Sequence, residues 1–316
     1  MCVFWAVLGN FAACSSAPPA PDAVFEKRNQ ASRNLESGNR HFREARYAEA
    51  LEFYALALDG YTAMDDSEGR VTALNSIGKV FFLSGDVPAR AGGVGNTERA
   101  FSSYREAYSL AKRLESPRFV LQSANNLAEV HIRRGENAAA LELLEDTLGQ
   151  RGVRDFSSLE LAVLYHNTAL VLRNLERYGE ALEAAMRARD MNRGAKRFGE
   201  LASNYYIMSS IYFRQGVLGE ARGAAGSALE YDKRMENSLG IAEDLLALGS
   251  IEEKGGDVSA AYDMYKRAFL VYRSLKYAAG LSRALEKLFL AAENLNLREE
   301  AESYREAYEQ LQKPAP

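Results

Sequence analysis

Between residues 27 and 312 the apolar positions recur at intervals of three and four, as in Leu74, Ile77 and Phe81 or Leu245, Leu248 and Ile251, with charged residues between them. That is the period of an α-helix with one buried stripe, and no alternation of period two competes with it. The stripes come in pairs. Breaks fall at Gly85-Asp86, Gly135-Glu136, Gly216 and Gly255-Gly256-Asp257. Glycine suits the left-handed residue that closes a helix, and a carboxylate at the next start suits the helix dipole. Ser157-Ser158-Leu159-Glu160 fits a capping box, and Ser116-Pro117 fits a stop followed by a start. The pattern predicts an all-α chain of helical hairpins.

The hairpins repeat. Small residues stand at Gly38, Gly78, Ala128, Ala169, Ser209 and Gly249, spaced 40, 50, 41, 40 and 40. A second set, Ala50, Ala100, Ala140, Ala181, Ala221 and Ala261, is spaced 50, 40, 41, 40 and 40. One insertion between Gly78 and Ala100, "VPARAGGVGN" at 87–96, accounts for both fifties. Self-similarity at a fixed period is the signature of an array of one supersecondary unit. Ala50, Ala100 and Ala261 are each followed four places on by an aromatic residue, Tyr54, Tyr104 and Tyr265.

These positions resemble the tetratricopeptide-repeat family. Its small-x2-aromatic and Ala-x3-aromatic motif stands here as Ile77-Gly78-x2-Phe81 with Ala100-x3-Tyr104, as Gly38-x2-His41 with Ala50-x3-Tyr54, and as Leu248-Gly249 with Ala261-x3-Tyr265; Ala57, Ala107, Ala188, Ala228 and Ala268 also fit. The resemblance covers about residues 27–312 and implies a right-handed superhelix of six clear hairpins plus a degenerate seventh. Forty residues matches the longer branch of the family; three more residues per helix lengthen it by roughly 4.5 Å. The seventh hairpin is expected over 278–312, its small positions replaced by Leu288 and Glu300 while Tyr304 and Ala307 persist. Terminal units differ because their outer face meets water.

Composition narrows the function. Charged residues are 26% of the chain and the formal net charge is −4, so nothing points to nucleic acid. Both cysteines, Cys2 and Cys14, precede the repeats, which excludes a disulfide framework or a cysteine-held metal in the repeat body. Residues 1–13, MCVFWAVLGNFAA, are uncharged and mostly apolar, as in an exported protein's leader. Phe11-Ala12-Ala13-Cys14 resembles the lipobox of bacterial lipoproteins, in which cleavage precedes a cysteine that carries diacylglycerol. Phe11 stands where that pattern has leucine, and no Lys or Arg precedes Lys27. The Pro/Ser/Ala-rich stretch 14–26 reads as a stiff tether between lipid and folded domain, and 313–316 as a tail. Ser15 after the cysteine favours the outer over the inner membrane. The competing reading is a cytosolic peptide sensor with no anchor.

Catalytic patterns are absent, so no enzyme, cofactor or metal is expected. Gly92-Gly93-Val94-Gly95-Asn96-Thr97 has no lysine after its glycines and follows no strand, unlike a phosphate loop. What the resemblance implies instead is a concave groove, lined by the first helix of each unit, that binds a protein or peptide. The position three before each small residue reads Leu35, Asn75, Asn125, His166, Tyr206 and Leu246, joined by Asn126 and Asn167. Cations follow the small residues at Lys79, Arg133, Arg173 and Arg214. An amide donates and accepts at once, which suits an extended peptide backbone, and a guanidinium offers a fork to carboxylates. The expected binding groove is therefore Asn75, Lys79, Asn125, Asn126, Arg133, His166, Asn167, Arg173, Tyr206 and Arg214, with Cys14 as the lipidation site; the competing reading is that Asn125 and Asn126 bond to neighbouring helices and the arginines are solvated surface charge.

Overall fold

A computed structural model describes residues 21–84, 95–149 and 156–312. Cys14, the leader, the tail and nearly all of the insertion lie outside them. The described residues are helical throughout, with no strand. In chain order come α1 (Pro21–Arg43) packed on α2 (Tyr47–Ala63), then α3 (Ser67–Leu83) and α4 (Asn96–Arg113), and α5 (Pro117–Arg133) packed on α6 (Asn137–Leu148). Then come α7 (Ser158–Asn174) with α8 (Tyr178–Gly194), α9 (Phe198–Gln215) with α10 (Leu218–Arg234), α11 (Ser238–Lys254) with α12 (Val258–Ser274), and α13 (Ala278–Asn294) with α14 (Arg298–Gln312). Two boundaries differ from the sequence reading. The first helix begins at Pro21, inside the segment read as tether, and α4 begins at Asn96, the last residue read as insertion. None of these helices is long and apolar enough to cross a membrane.

The turns show why the breaks lie where they do. Gly135, Gly216 and Gly256 have φ of 74°, 80° and 90°. At the first of these, the Glu136 N–H donates to the His131 carbonyl at 2.9 Å and the Gly135 N–H to the Ile132 carbonyl at 3.0 Å. This is the Schellman closure, which satisfies carbonyls that a helix end leaves open. Between hairpins, Asp65, Glu115, Lys196, Glu236 and Lys276 take the same left-handed place at φ of 50° to 56°. The Ser157 capping box forms in full: its Oγ accepts from the Glu160 N–H, and Glu160 Oε2 accepts from the Ser157 N–H at 3.0 Å.

The chain divides within α4, between Ser103 and Tyr104, into two compact units. In the first, the Tyr54 ring lies flat against Gly38: a Cβ added there would sit 2.5 Å from the ring, so only glycine lets α1 and α2 close. Tyr54 Oη then donates to Asn39 Oδ1 at 2.8 Å. Tyr61 makes the matching contact with Gly69 of α3.

In the second unit the same device recurs as Gly249 against Tyr265 and Gly280 against Tyr272. Ala140, Ala181, Ala221 and Ala261 are all fully buried, as are Ala188, Ala228 and Ala268. Leucines, isoleucines and Met208 fill the space between them across α5 to α10. The seventh hairpin forms, with one correction. Its helices start forty residues after those of the sixth, at Ala278 and Arg298, so the second small residue is buried Ala301 rather than Glu300, and Phe289 rather than Leu288 is the repeat equivalent of Gly249. Leu288 is instead fully buried beside Tyr262 and Tyr265.

Candidate functional site

The helices α7, α9 and α11 lie side by side in the second unit, α7 against α9 and α9 against α11. Their registers differ by forty residues, so His166 of α7 and Tyr206 of α9 occupy equivalent places. Both rings reach into an open cavity of about 540 Å³ that runs from Arg173 of α7 to Asp244 of α11, with Leu170, Ile207 and Leu239 as apolar wall.

At the α7 end the cavity carries an uncancelled positive charge. Arg173 is half-buried; its Nε and Nη2 donate to Asn174 Oδ1 at 3.3 and 2.9 Å, and Nη1 donates to Ser210 Oγ at 3.3 Å. Asn174 is itself held by its Nδ2 donating to Asn137 Oδ1 at 3.0 Å. No described carboxylate lies within ion-pair distance of Arg173. Burial, with Arg214 adding a like charge, pulls its pKa below the usual range for a guanidinium. His166 is kept neutral beside it. Desolvation, then the Arg173 charge, pushes its pKa down to about 4. A buried chain of amides fixes its tautomer: Asn192 Nδ2 donates to Asn204 Oδ1 at 2.8 Å, and Asn204 Nδ2 donates to His166 Nδ1 at 3.0 Å, leaving the ring proton on Nε2.

At the α11 end two acids face each other. Asp232 of α10 and Asp244 of α11 are 6% and 1% exposed, and neither has a lysine or arginine partner among the described residues. Asn237 Nδ2 donates to Asp232 Oδ1 at 3.0 Å. Asp244 Oδ2 receives no N–H from any described residue. Burial, then the Asp232 charge, pushes the Asp244 carboxyl up to about 8, so at neutral pH the two share a proton. Gly240 makes this approach feasible, since a Cβ there would overlap Asp232 Oδ2. Glu243 does not join the pair: it takes a bidentate ion pair from Arg283 of α13, one arm at 3.1 Å.

The groove expected from sequence is thus assembled in part. His166, Arg173 and Tyr206 share the cavity, and Arg214 stands exposed at the end of α9 within electrostatic reach of Arg173. Asn126 is half-buried and Arg133 exposed on α5; in the first unit, exposed Lys79 lies 5.2 Å above the Phe42 ring. Asn75, Asn125 and Asn167, expected to present amides to a groove, do not line this cavity. They are only 3%, 6% and 4% exposed, and Asn167 Nδ2 donates to Asn125 Oδ1 at 3.2 Å. Asn125 occupies the same column as His166 and Tyr206, but its short amide stays in the seam with Asn167.

Sequence reasoning missed Asp232 and Asp244. The signal was available forty residues earlier, where Asn192 and Asn204 hold the equivalent places. No cluster of metal-ligating side chains occurs among the described residues.

No protein-family model and no curated protein matches this sequence. Solved structures do. The apo quorum sensor NprR from B. thuringiensis superposes with a TM-score of 0.69 at 15% identity, covering 92% of this chain and 80% of that one. A Rap protein complexed with Competence and Sporulation Factor gives 0.62 at 16% identity, covering 92% and 78%. A signal-transduction ATPase with a tetratricopeptide repeat sensor from Pyrococcus horikoshii gives 0.66 at 14% identity, covering 90% of this chain and 40% of that one. The fold is a TPR-like α-solenoid. At these identities the likeness concerns the fold alone.

Proposed function

We propose that this chain is a non-enzymatic scaffold or adaptor that holds a protein or peptide segment against α7, α9 and α11, tethered in a bacterial cell envelope by a lipid on Cys14. The observation that carries the binding reading is Arg173: a half-buried guanidinium at the edge of an open cavity, locked in place by Asn174 and Ser210, with no carboxylate among the described residues to cancel it. A fold does not hold such a charge cheaply, and a carboxylate of an incoming segment would cancel it. The apolar wall of Leu170, Ile207 and Leu239 suits side chains of the same segment. The Rap protein solved with Competence and Sporulation Factor lends the reading support by analogy of fold.

A photo-crosslinker placed at exposed, cavity-lining Ser203 tests the groove. It is expected to yield a discrete adduct with one mapped segment, absent when the probe sits at exposed Glu230 and weakened by Arg173→Ala. Equal adducts from both positions would sink the reading. The anchor is tested separately. Trp5 is the only tryptophan, so cleavage before Cys14 removes all indole fluorescence and leaves an acylated N-terminal peptide. Tryptophan-bearing, unacylated protein in the soluble fraction would reject the anchor.

A further inference from the structure

The repeat itself supplies an internal control for the Asp232–Asp244 pair. One unit earlier, the same two places hold Asn192 and Asn204, which bridge α8 and α9 with an ordinary amide–amide hydrogen bond of 2.8 Å. Packing at this junction is therefore met by neutral groups. In the next unit both amides have become acids, which must share a proton to coexist, and both line the cavity. Asp244 is almost wholly buried in the cavity wall, and its Oδ2 has no hydrogen-bond partner among the described residues.

We infer that the Asp232–Asp244 pair is the seat of a cationic side chain, lysine or arginine, of the segment bound against α7, α9 and α11. This rests on the groove reading above and names the chemistry of one subsite within it.

The surroundings favour a cation and no other charge. Every other charged group facing the pair is already committed or too far round the cavity to neutralise it. Glu243 of α11 is held by Arg283 of α13, and Arg173 of α7 belongs to the opposite end. His166 is neutral, and Tyr206, pushed up by burial and then by Glu243, stays protonated. Asn237 donates to Asp232 and so favours its ionised form. Leu239 and Ile207 offer apolar surface to the methylene stem of a long cationic side chain. When the cation enters, the shared proton leaves to water and the pair becomes a dianion facing the ligand's positive charge. Because Asp244 is raised to about 8, binding weakens as pH falls and the proton competes.

The test uses an acetylated, amidated alanine pentapeptide with lysine at its centre and a twin with norleucine there, titrated into the full chain by calorimetry. The lysine peptide is expected to bind wild type at pH 8 at least about tenfold tighter than its twin, and to lose at least about tenfold by pH 6. In the double variant Asp232→Asn/Asp244→Asn, which recreates the amide pair of the preceding unit, the two peptides should bind alike. If that variant melts well below wild type, Asp244→Asn alone is used. Equal binding of both peptides to wild type overturns the inference, as does a lysine preference that survives in the variant. An uncapped all-alanine peptide binding as tightly would assign the seat to a terminal amine and overturn it too. The Ser203 crosslink separates the two failures. An adduct retained without any lysine preference sinks only the acid seat; loss of the adduct sinks the groove.

Discussion

Replacing Asp244 by asparagine is expected to stabilise this protein at neutral and alkaline pH and to leave it unchanged in acid. The Asp244 carboxyl sits at about 8 in the folded chain against 3.8 as its ordinary value. Between those two values the folded state binds the proton and the unfolded state does not. The Asp244 contribution to stability is therefore full below about pH 4 and is lost by about 1.4 kcal/mol per unit as pH rises toward 8. At pH 7 the naive loss is about 4 kcal/mol; solvent reaching the cavity and sharing with Asp232 lower it, so a gain between about 1 and 4 kcal/mol is expected for the variant. Asparagine at 244 also supplies an N–H to Asp232, a bond of opposite direction to that in the preceding unit, where Asn192 donates to Asn204. The assay is urea unfolding followed by far-ultraviolet circular dichroism at pH 4.5, 6, 7 and 8, with amide hydrogen exchange in α10 and α11 as the local readout. The offset between variant and wild type should widen steadily with pH. A constant offset, or a variant less stable than wild type at pH 8, would refute the shared-proton argument.

Three other substitutions test the architecture. Gly249→Ala places a Cβ 2.4 Å from the Tyr265 ring, which Glu253 holds by a 2.8 Å hydrogen bond, and should cost about 1–3 kcal/mol in urea unfolding. Gly226→Ala, in α10 with open space around it, should instead stabilise by about 0.5–1 kcal/mol. Asn167→Ala strands the buried Asn125 oxygen and should cost about 1–3 kcal/mol, a loss of stability rather than of binding alone.

Much of the fold could be read from the chain because its repeat rests on a steric demand. Gly38 and Gly249 each lie under a tyrosine ring, and no larger residue fits, so the spacing survives in the sequence as a pattern of small residues. The register slip in the last hairpin has a local cause. Glu300 and Ala301 are neighbours, Tyr304 and Ala307 mimic the motif from Glu300, and only the forty-residue step from Ala261 to Ala301 decides. The candidate site was legible where it lay in one column of one helix type, as with His166 and Tyr206. It was not legible where two helices meet, because a buried polar residue read alone does not reveal its partner. Asn125 and Asn167 looked available and are paired with each other; Asp232 and Asp244, on different helices, looked ordinary and are not.

The most direct measurement of the central claim is amide hydrogen exchange on the full chain with and without a synthetic copy of the segment crosslinked at Ser203. Slower exchange concentrated in α7, α9 and α11, and diminished by Arg173→Ala, is the predicted result. Protection that falls elsewhere while those three helices exchange as before would contradict it.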